Sequence, residues 1–302
     1  MAKIIAICNQ KGGVCKTTTA VNLSSTLAMD GLRVLLVDLD PQANATGGLG
    51  VDKRGLSRSI YHLLLDEVPW EEVVLSTKIP QLKLIPSQPA LSGAEVEMVG
   101  LESRESRLRS VLEPLRALND LILIDCPPSL GLLTVNALTA ADSVLIPLQC
   151  EYYALEGLSQ LLETVKMVQA GLNDRLGVEG VVLTMADFRT KLTGDVIHEV
   201  RNFFGSKVYD IIVPRSVRLS EAPSRGLPIT LYDPSSSGAQ AYRALAERLK
   251  KENFHGGNAW AGQGDPGADP GGKSASTEGS DAGPVGVHPA EPLPAQEEPG
   301  SG

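Results

Sequence analysis

The sequence predicts an α/β fold: a doubly wound, mostly parallel sheet with helices on both faces. Three observations predict it. Several short runs are apolar at every position rather than at alternate ones, the mark of strands buried on both faces. These runs alternate with stretches of helical periodicity. The first run leads through a Gly-rich loop into Lys-Thr and a helix, the order of a phosphate-binding loop. Right-handed crossovers then wind such a chain into layers, with ligands beyond the C-terminal ends of the strands.

Taken in order, residues 3–8 (KIIAIC) read as the first buried strand. Residues 17–29 are helical, and Gly31 stops them. Residues 33–37 (RVLLV) form a second strand, followed by short apolar runs at 82–85, 121–124, 143–147, 181–185 and 208–213. Helical patterns fall at about 101–117, 154–170, 191–204 and 236–251. The loops that begin at residues 9, 38, 125, 149 and 186 therefore lie at the ligand-bearing edge.

The chain has 302 residues, 42% hydrophobic and 21% charged, enough for a substantial core. Residues 253–302 hold 12 Gly, 7 Pro and four of Leu, Ile, Val or Phe. That composition cannot offset chain entropy, so a folded domain over 1–252 and a disordered acidic tail over 253–302 are expected. Four cysteines, none in C-x-x-C, exclude a disulfide framework and a zinc ribbon. There is no signal peptide, and no apolar run nears the roughly 20 residues that span a bilayer, so a soluble cytoplasmic protein is expected. The net charge of −9 argues against a generally basic surface, yet residues 189–251 carry eleven Lys/Arg against six Asp/Glu. That stretch is a candidate anion-facing surface.

The loop Asn9-Gln10-Lys11-Gly12-Gly13-Val14-Cys15-Lys16-Thr17-Thr18-Thr19 carries the chemistry. Its N–H groups and the following helix N-terminus converge where phosphate oxygens sit. Lys16 supplies a counter-charge for β/γ phosphates, and the Thr17 hydroxyl a ligand for Mg²⁺. Gln10 and Cys15 replace the two glycines of G-x-x-x-x-G-K-[ST]. The residue before the lysine commonly takes a left-handed conformation, which costs a non-glycine residue about 1–2 kcal/mol. Beside a helix N-terminus and Lys16, the Cys15 thiol is expected to have a lowered pKa. Asp38 and Asp40 close the second strand and point the same way, so one suits Mg²⁺ or its waters and the other the attacking water.

Lys11-Gly12-Gly13-Val14-x-Lys16-Thr17-Thr18-Thr19 resembles the deviant Walker A loop of ParA-type (Soj-like) partitioning ATPases. The resemblance spans about residues 1–250 and includes the segments beginning at Asp38, Ile124, Gln149 and Pro214. It implies ATP and Mg²⁺ as cofactors, bound by Lys11, Gly12, Gly13, Val14, Cys15, Lys16, Thr17 and Thr18. It makes Lys11 a lysine that reaches the partner subunit's ATP in an ATP-dependent homodimer. It makes Asp40 the hydrolytic residue beside Lys11 and Lys16, and places Asp38, Thr17 and the Walker B residue Asp125 around the metal. It puts Pro214 and Arg215 along the adenine, and assigns nonspecific double-stranded DNA to Arg189 and Arg218. It further implies a ParB-type centromere-binding partner, a nucleoid location and no membrane.

Two other classes share part of this pattern. A MinD-like membrane-positioning ATPase shares the loop but needs a basic amphipathic C-terminal helix, against an acidic Gly/Pro end here. An iron-protein relative needs two cluster-ligating cysteines, and Cys126 and Cys150 lack the flanking glycines. A variant impaired in nucleotide binding by Cys15 is the third alternative. With the first strand at residue 3, no operator-reading helix-turn-helix is expected before it.

Overall fold

The computed structural model describes residues 1–151 and 156–254. Eight strands, β1 (Lys3–Ile7), β2 (Val34–Asp38), β3 (Leu75–Ser76), β4 (Leu82–Ile85), β5 (Leu121–Asp125), β6 (Ser143–Gln149), β7 (Gly177–Ala186) and β8 (Val208–Pro214), make one sheet in the order β3-β4-β2-β5-β1-β6-β7-β8. All neighbours are parallel except the two-residue edge strand β3. The helices are α1 (Lys16–Met29), α2 (Asn44–Gly48), α3 (Ile60–Leu64), α4 (Leu91–Glu97), α5 (Arg107–Leu112), α6 (Leu132–Ala140), α7 (Glu156–Gly171), α8 (Lys191–Phe204), α9 (Val217–Glu221), α10 (Ile229–Tyr232) and α11 (Ser237–Phe254).

The continuous apolar strands are explained by two cores, one on each face. In β1, Ile4 and Ala6 pack on one face with Ile122 and Ile124. Ile5 and Ile7 pack on the other with Leu121 and Leu123. The first core is closed by residues of α3 to α8, among them Leu64, Leu112, Ala137, Leu161 and Val200. The second is closed by α1 and α11, through Leu23, Leu27, Tyr242 and Leu245. Tyr242 is fully buried, and its hydroxyl meets that of Thr19 at 3.2 Å, joining the two helices.

The chain reverses its direction of travel across the sheet at β1, which lies between β5 and β6. That switch point is where open α/β sheets bind ligands. Gly31, with φ +93°, ends α1 as expected. One boundary moves: α11 continues to Phe254, and Asn253 donates from Nδ2 to Glu179. Asn253 and Phe254 thus belong to the folded body rather than to the tail. The rest of the expected tail, and residues 154–155 of the expected helix at 154–170, lie outside the described residues.

Gly50 (φ +79°) and Gly226 (φ +61°) meet backbone to backbone just after α2 and the turn Ala222–Arg225. A Cβ added at Gly226 would stand 2.5 Å from the Gly50 Cα, so only glycine fits.

Candidate phosphate-binding site

The loop after β1 is shaped by hydrogen bonds before any ligand arrives. Asn9 donates from Nδ2 to the Pro147 carbonyl (2.7 Å) and accepts from the Lys11 amide (3.0 Å). The Thr184 hydroxyl donates to the Val14 carbonyl at 3.1 Å. Gly12 and Gly13 stay exposed, with no atom near where a Cβ would be. Cys15 caps α1 at φ 67°, ψ 31°, the left-handed conformation expected of a glycine there. Its thiol is not the activated group expected from the helix N-terminus. Burial pushes its pKa up, and a hydrogen bond with Thr18 only partly opposes this.

Lys16 is buried, and its ammonium donates to the Lys11 carbonyl across the loop at 3.1 Å. Burial pulls its pKa down, against the attraction of Asp125 and Asp40. Asp125 ends β5, in register with Asp38 of β2 and Ile7 of β1. It is fully buried, and neither carboxylate oxygen finds a donor at hydrogen-bonding geometry. Burial, then the Asp38 charge, pushes its pKa well up; Thr17 and Lys16 only partly oppose this. A buried carboxylate without a donor, beside a threonine hydroxyl and an ammonium, fits a divalent cation with its phosphate ligand.

Asp38 has a different employment. Its Oδ2 accepts from both the amide and hydroxyl of Thr46, each at 2.7 Å, and its Oδ1 from the Asp40 amide at 3.2 Å. Burial pushes its pKa up to about 6. Its oxygens hold the 38–46 loop, in which Ala43 also stands left-handed (φ 54°). Thr46 in turn accepts from the Ser87 amide, tying the loop to the end of β4. Asp40, 8% exposed, is thereby carried to the same strand edge, where it acts on Lys16. Lys16 and Thr17 at the start of α1, Asp38 and Asp40 at the end of β2 and Asp125 at the end of β5 lie together at one edge of the sheet.

A protein-family model described as an AAA domain matches residues 2–178. The sporulation initiation inhibitor protein Soj of Bacillus subtilis is 57% identical over 249 residues, 82% of this chain and 98% of that protein. The chromosome partitioning protein ParA of Myxococcus xanthus is 54% identical over 253 residues, 84% of this chain and 89% of that protein. The chain belongs to the ParA/Soj family of chromosome-partitioning ATPases. Its fold is also that of the septum site-determining protein MinD of Pyrococcus horikoshii complexed with Mg-ADP (TM-score 0.70, 26% identity, covering 83% and 97% of the two chains). Cobyrinic acid a,c-diamide synthase of Mycobacterium smegmatis with bound ADP and magnesium is similar at TM-score 0.74 and 38% identity, covering 83% and 95%.

Beside this ParA/Soj loop lies a cavity of about 350 Å³. Thr17, Thr18 and Asn22 of α1 form one wall, and Ala222, Pro223 and Leu227 another. Pro214 and Arg215 are not among its lining residues; Pro214 ends β8, and the Arg215 amide donates to the Ala186 carbonyl at the end of β7. Arg189 and Arg218 follow β7 and β8 and are exposed. Both are engaged by carboxylates. Arg189 makes a two-pronged bond to Asp187 (2.8 and 2.6 Å) and holds its pKa down to about 2. Arg218 pairs with Glu221 (3.0 Å) and Asp233 (3.5 Å).

Three contributors were not singled out by the sequence. Thr46 and Asn9 act through hydrogen bonds to residues distant in the chain. Glu151 receives the Lys11 ammonium at 2.7 Å. The iron-protein reading has no surface site: Cys126 and Cys150 are buried, and no group of three metal-ligating residues occurs among the described residues. No helix among them is long and apolar enough to cross a membrane.

Proposed function

We propose that this ParA/Soj-family protein is an ATP-driven DNA-partitioning switch, which pairs into a homodimer on ATP, holds double-stranded DNA nonspecifically and is released when a ParB-type partner stimulates hydrolysis. The observation that carries the reading is the convergence of Lys16 and Thr17 with Asp125 and Asp40 at the switch point. MgATP supplies the phosphoanhydride to be cleaved and the metal charge that eases its cleavage. The amides from Lys11 to Thr18 cradle phosphates, and Lys16 neutralises their charge. Thr17 and Asp125 hold the metal; Asp38, its oxygens committed to Thr46 and Asp40, acts from behind by fixing the loop. Asp40 orients the attacking water. Arg189 and Arg218 present permanent, forked charges to DNA phosphates, which positions DNA without reading bases. Pro214 and Arg215 border the adenine side of the site.

The test separates binding from turnover. Lys16→Ala should abolish ATP binding, because it removes the phosphate counter-charge. Asp40→Ala should bind ATP, accumulate as an ATP-bound dimer and lose hydrolysis. Hydrolysis at the parent rate by Asp40→Ala would remove Asp40 from the mechanism.

A further inference from the structure

Cys8 and Cys126 each follow a residue of an in-register pair, Ile7 of β1 and Asp125 of β5. Their sulfurs lie 2.8 Å apart. The Cys8 thiol donates to the Cys126 sulfur, whose own thiol faces the Ile124 carbonyl at 3.8 Å. Both are free thiols and only 1% exposed. Neighbouring strands run about 4.8 Å apart, inside the Cα separation that a disulfide spans. Cys126 adjoins Asp125, and Cys8 adjoins Asn9, whose side chain shapes the phosphate loop. Both sulfurs lie near the Lys16 ammonium.

We propose that Cys8 and Cys126 are a peroxide-oxidisable dithiol whose reversible disulfide fastens the phosphate loop to the strand that carries Asp125. One sulfur attacks a peroxide oxygen, the O–O bond breaks, and a sulfenic acid and one water form. The second sulfur attacks the first, the S–O bond breaks, the S–S bond forms and a second water leaves. Two thiols are oxidised, one hydrogen peroxide is reduced, and a dithiol reductant reverses the change. Burial pushes the Cys126 thiol well up, which makes the attack slow, and it also selects the oxidant. Hydrogen peroxide is close to water in size, whereas a bulky disulfide such as oxidised glutathione needs a mixed-disulfide intermediate for which the packed strands leave no room. The bond draws the sulfurs from 2.8 Å to about 2.05 Å, which displaces the loop relative to Asp125 by a fraction of an ångström. Misplacements on this scale are costly where reacting groups must be aligned.

The native full-length protein is treated with hydrogen peroxide, quenched with catalase, denatured, alkylated and digested with trypsin and chymotrypsin. Mass spectrometry should find a peptide pair joined through Cys8 and Cys126, absent after dithiothreitol and absent after oxidised glutathione. Recovery of both cysteines alkylated, or linkage to Cys15 or Cys150 instead, overturns the proposal. The second readout rests on the ATPase reading. Turnover should fall several-fold on oxidation and recover with dithiothreitol, and Cys8→Ala should lose less than the parent while matching it in reductant. Cys126→Ala serves as a second variant. Equal losses in parent and variants would overturn the fastening of the loop even if the bond forms. The linked peptide is readable whether or not the protein hydrolyses ATP, so failure of one reading is distinct from failure of the other.

Discussion

Lys11 is held within its own subunit by Glu151: the ammonium stands 2.7 Å from one carboxylate oxygen, and the Gln149 amide donates to the other. The lysine that the proposed dimer extends to a partner's phosphates must first leave this carboxylate. The pair is partly exposed on both sides, so it is worth about 0.2–1 kcal/mol.

Glu151→Gln should therefore lower the protein concentration at which ATP-dependent dimers appear, by up to about thirtyfold, since each dimer releases two such lysines. The gain should shrink as salt rises, because exposed charges are screened. Sedimentation at several salt concentrations measures it. An unchanged midpoint at low salt would make the Lys11–Glu151 pair incidental.

Cys15→Gly should stabilise the protein. The left-handed backbone at φ 67° is free for glycine and costs a side-chain-bearing residue about 1–2 kcal/mol. For a domain of this size that is a rise of a few degrees in Tm, read by calorimetry without nucleotide. In the parent, the raised thiol pKa makes Cys15 alkylate more slowly than free cysteine at neutral pH, and MgATP should slow it further. Faster labelling than free cysteine would contradict the burial argument.

The arginines should behave as backbone contacts. Arg189→Ala and Arg218→Ala should each weaken DNA binding on every sequence alike and lower the salt slope by about one. Asp187→Asn should act oppositely, since it removes the carboxylate that now occupies the Arg189 fork. Gel-shift titrations across salt test both directions, and a sequence-dependent loss would defeat the nonspecific mode.

Asp38 gives a pH dependence with a definite sign. Its folded pKa, pushed up to about 6, lies above the ordinary carboxylate range, so the folded state keeps a proton that the unfolded state has lost. Between about pH 4 and 6 this group makes stability fall as pH rises, and above that window its penalty is constant. Asp38→Asn should lower overall stability, by weakening the grip on Thr46, yet show a flatter decline of Tm from pH 4.5 to 6.5. An identical slope in parent and variant would assign the titration elsewhere.

The centre of the sheet was legible because its strands are buried on both faces, so the runs at 3–8 and 121–124 stand out as apolar blocks, whereas in the outer strands β4 and β8 the exposed Lys83 and Asp210 interrupt the run. β3 was not, since two residues pairing antiparallel with β4 carry no pattern. The five-residue helices α2 and α3 were missed for a related reason: one turn and a half is too short for a period. At the site, residues with local motifs were readable: Lys16, Thr17, Asp40 and the left-handed place of Cys15. Thr46 was not, because its meaning lies in a bond to Asp38. The Cys8–Cys126 contact spans 118 positions, and only strand order brings it together. At Cys15 the helix N-terminus shows in sequence, whereas the burial that raises its thiol pKa does not.

The touching glycines, Gly50 and Gly226, give the molecule a mechanical joint. One stands just beyond the loop that Asp38 fixes and that presents Asp40; the other follows the segment that begins with Arg218 of α9. Side chains yield by changing rotamer, but two main chains in contact have no such slack. The Asp40 loop and the arginine-bearing segment therefore share a main-chain contact with no side chain between them to take up a change in spacing. A single methyl group at either position would hold the joint permanently ajar.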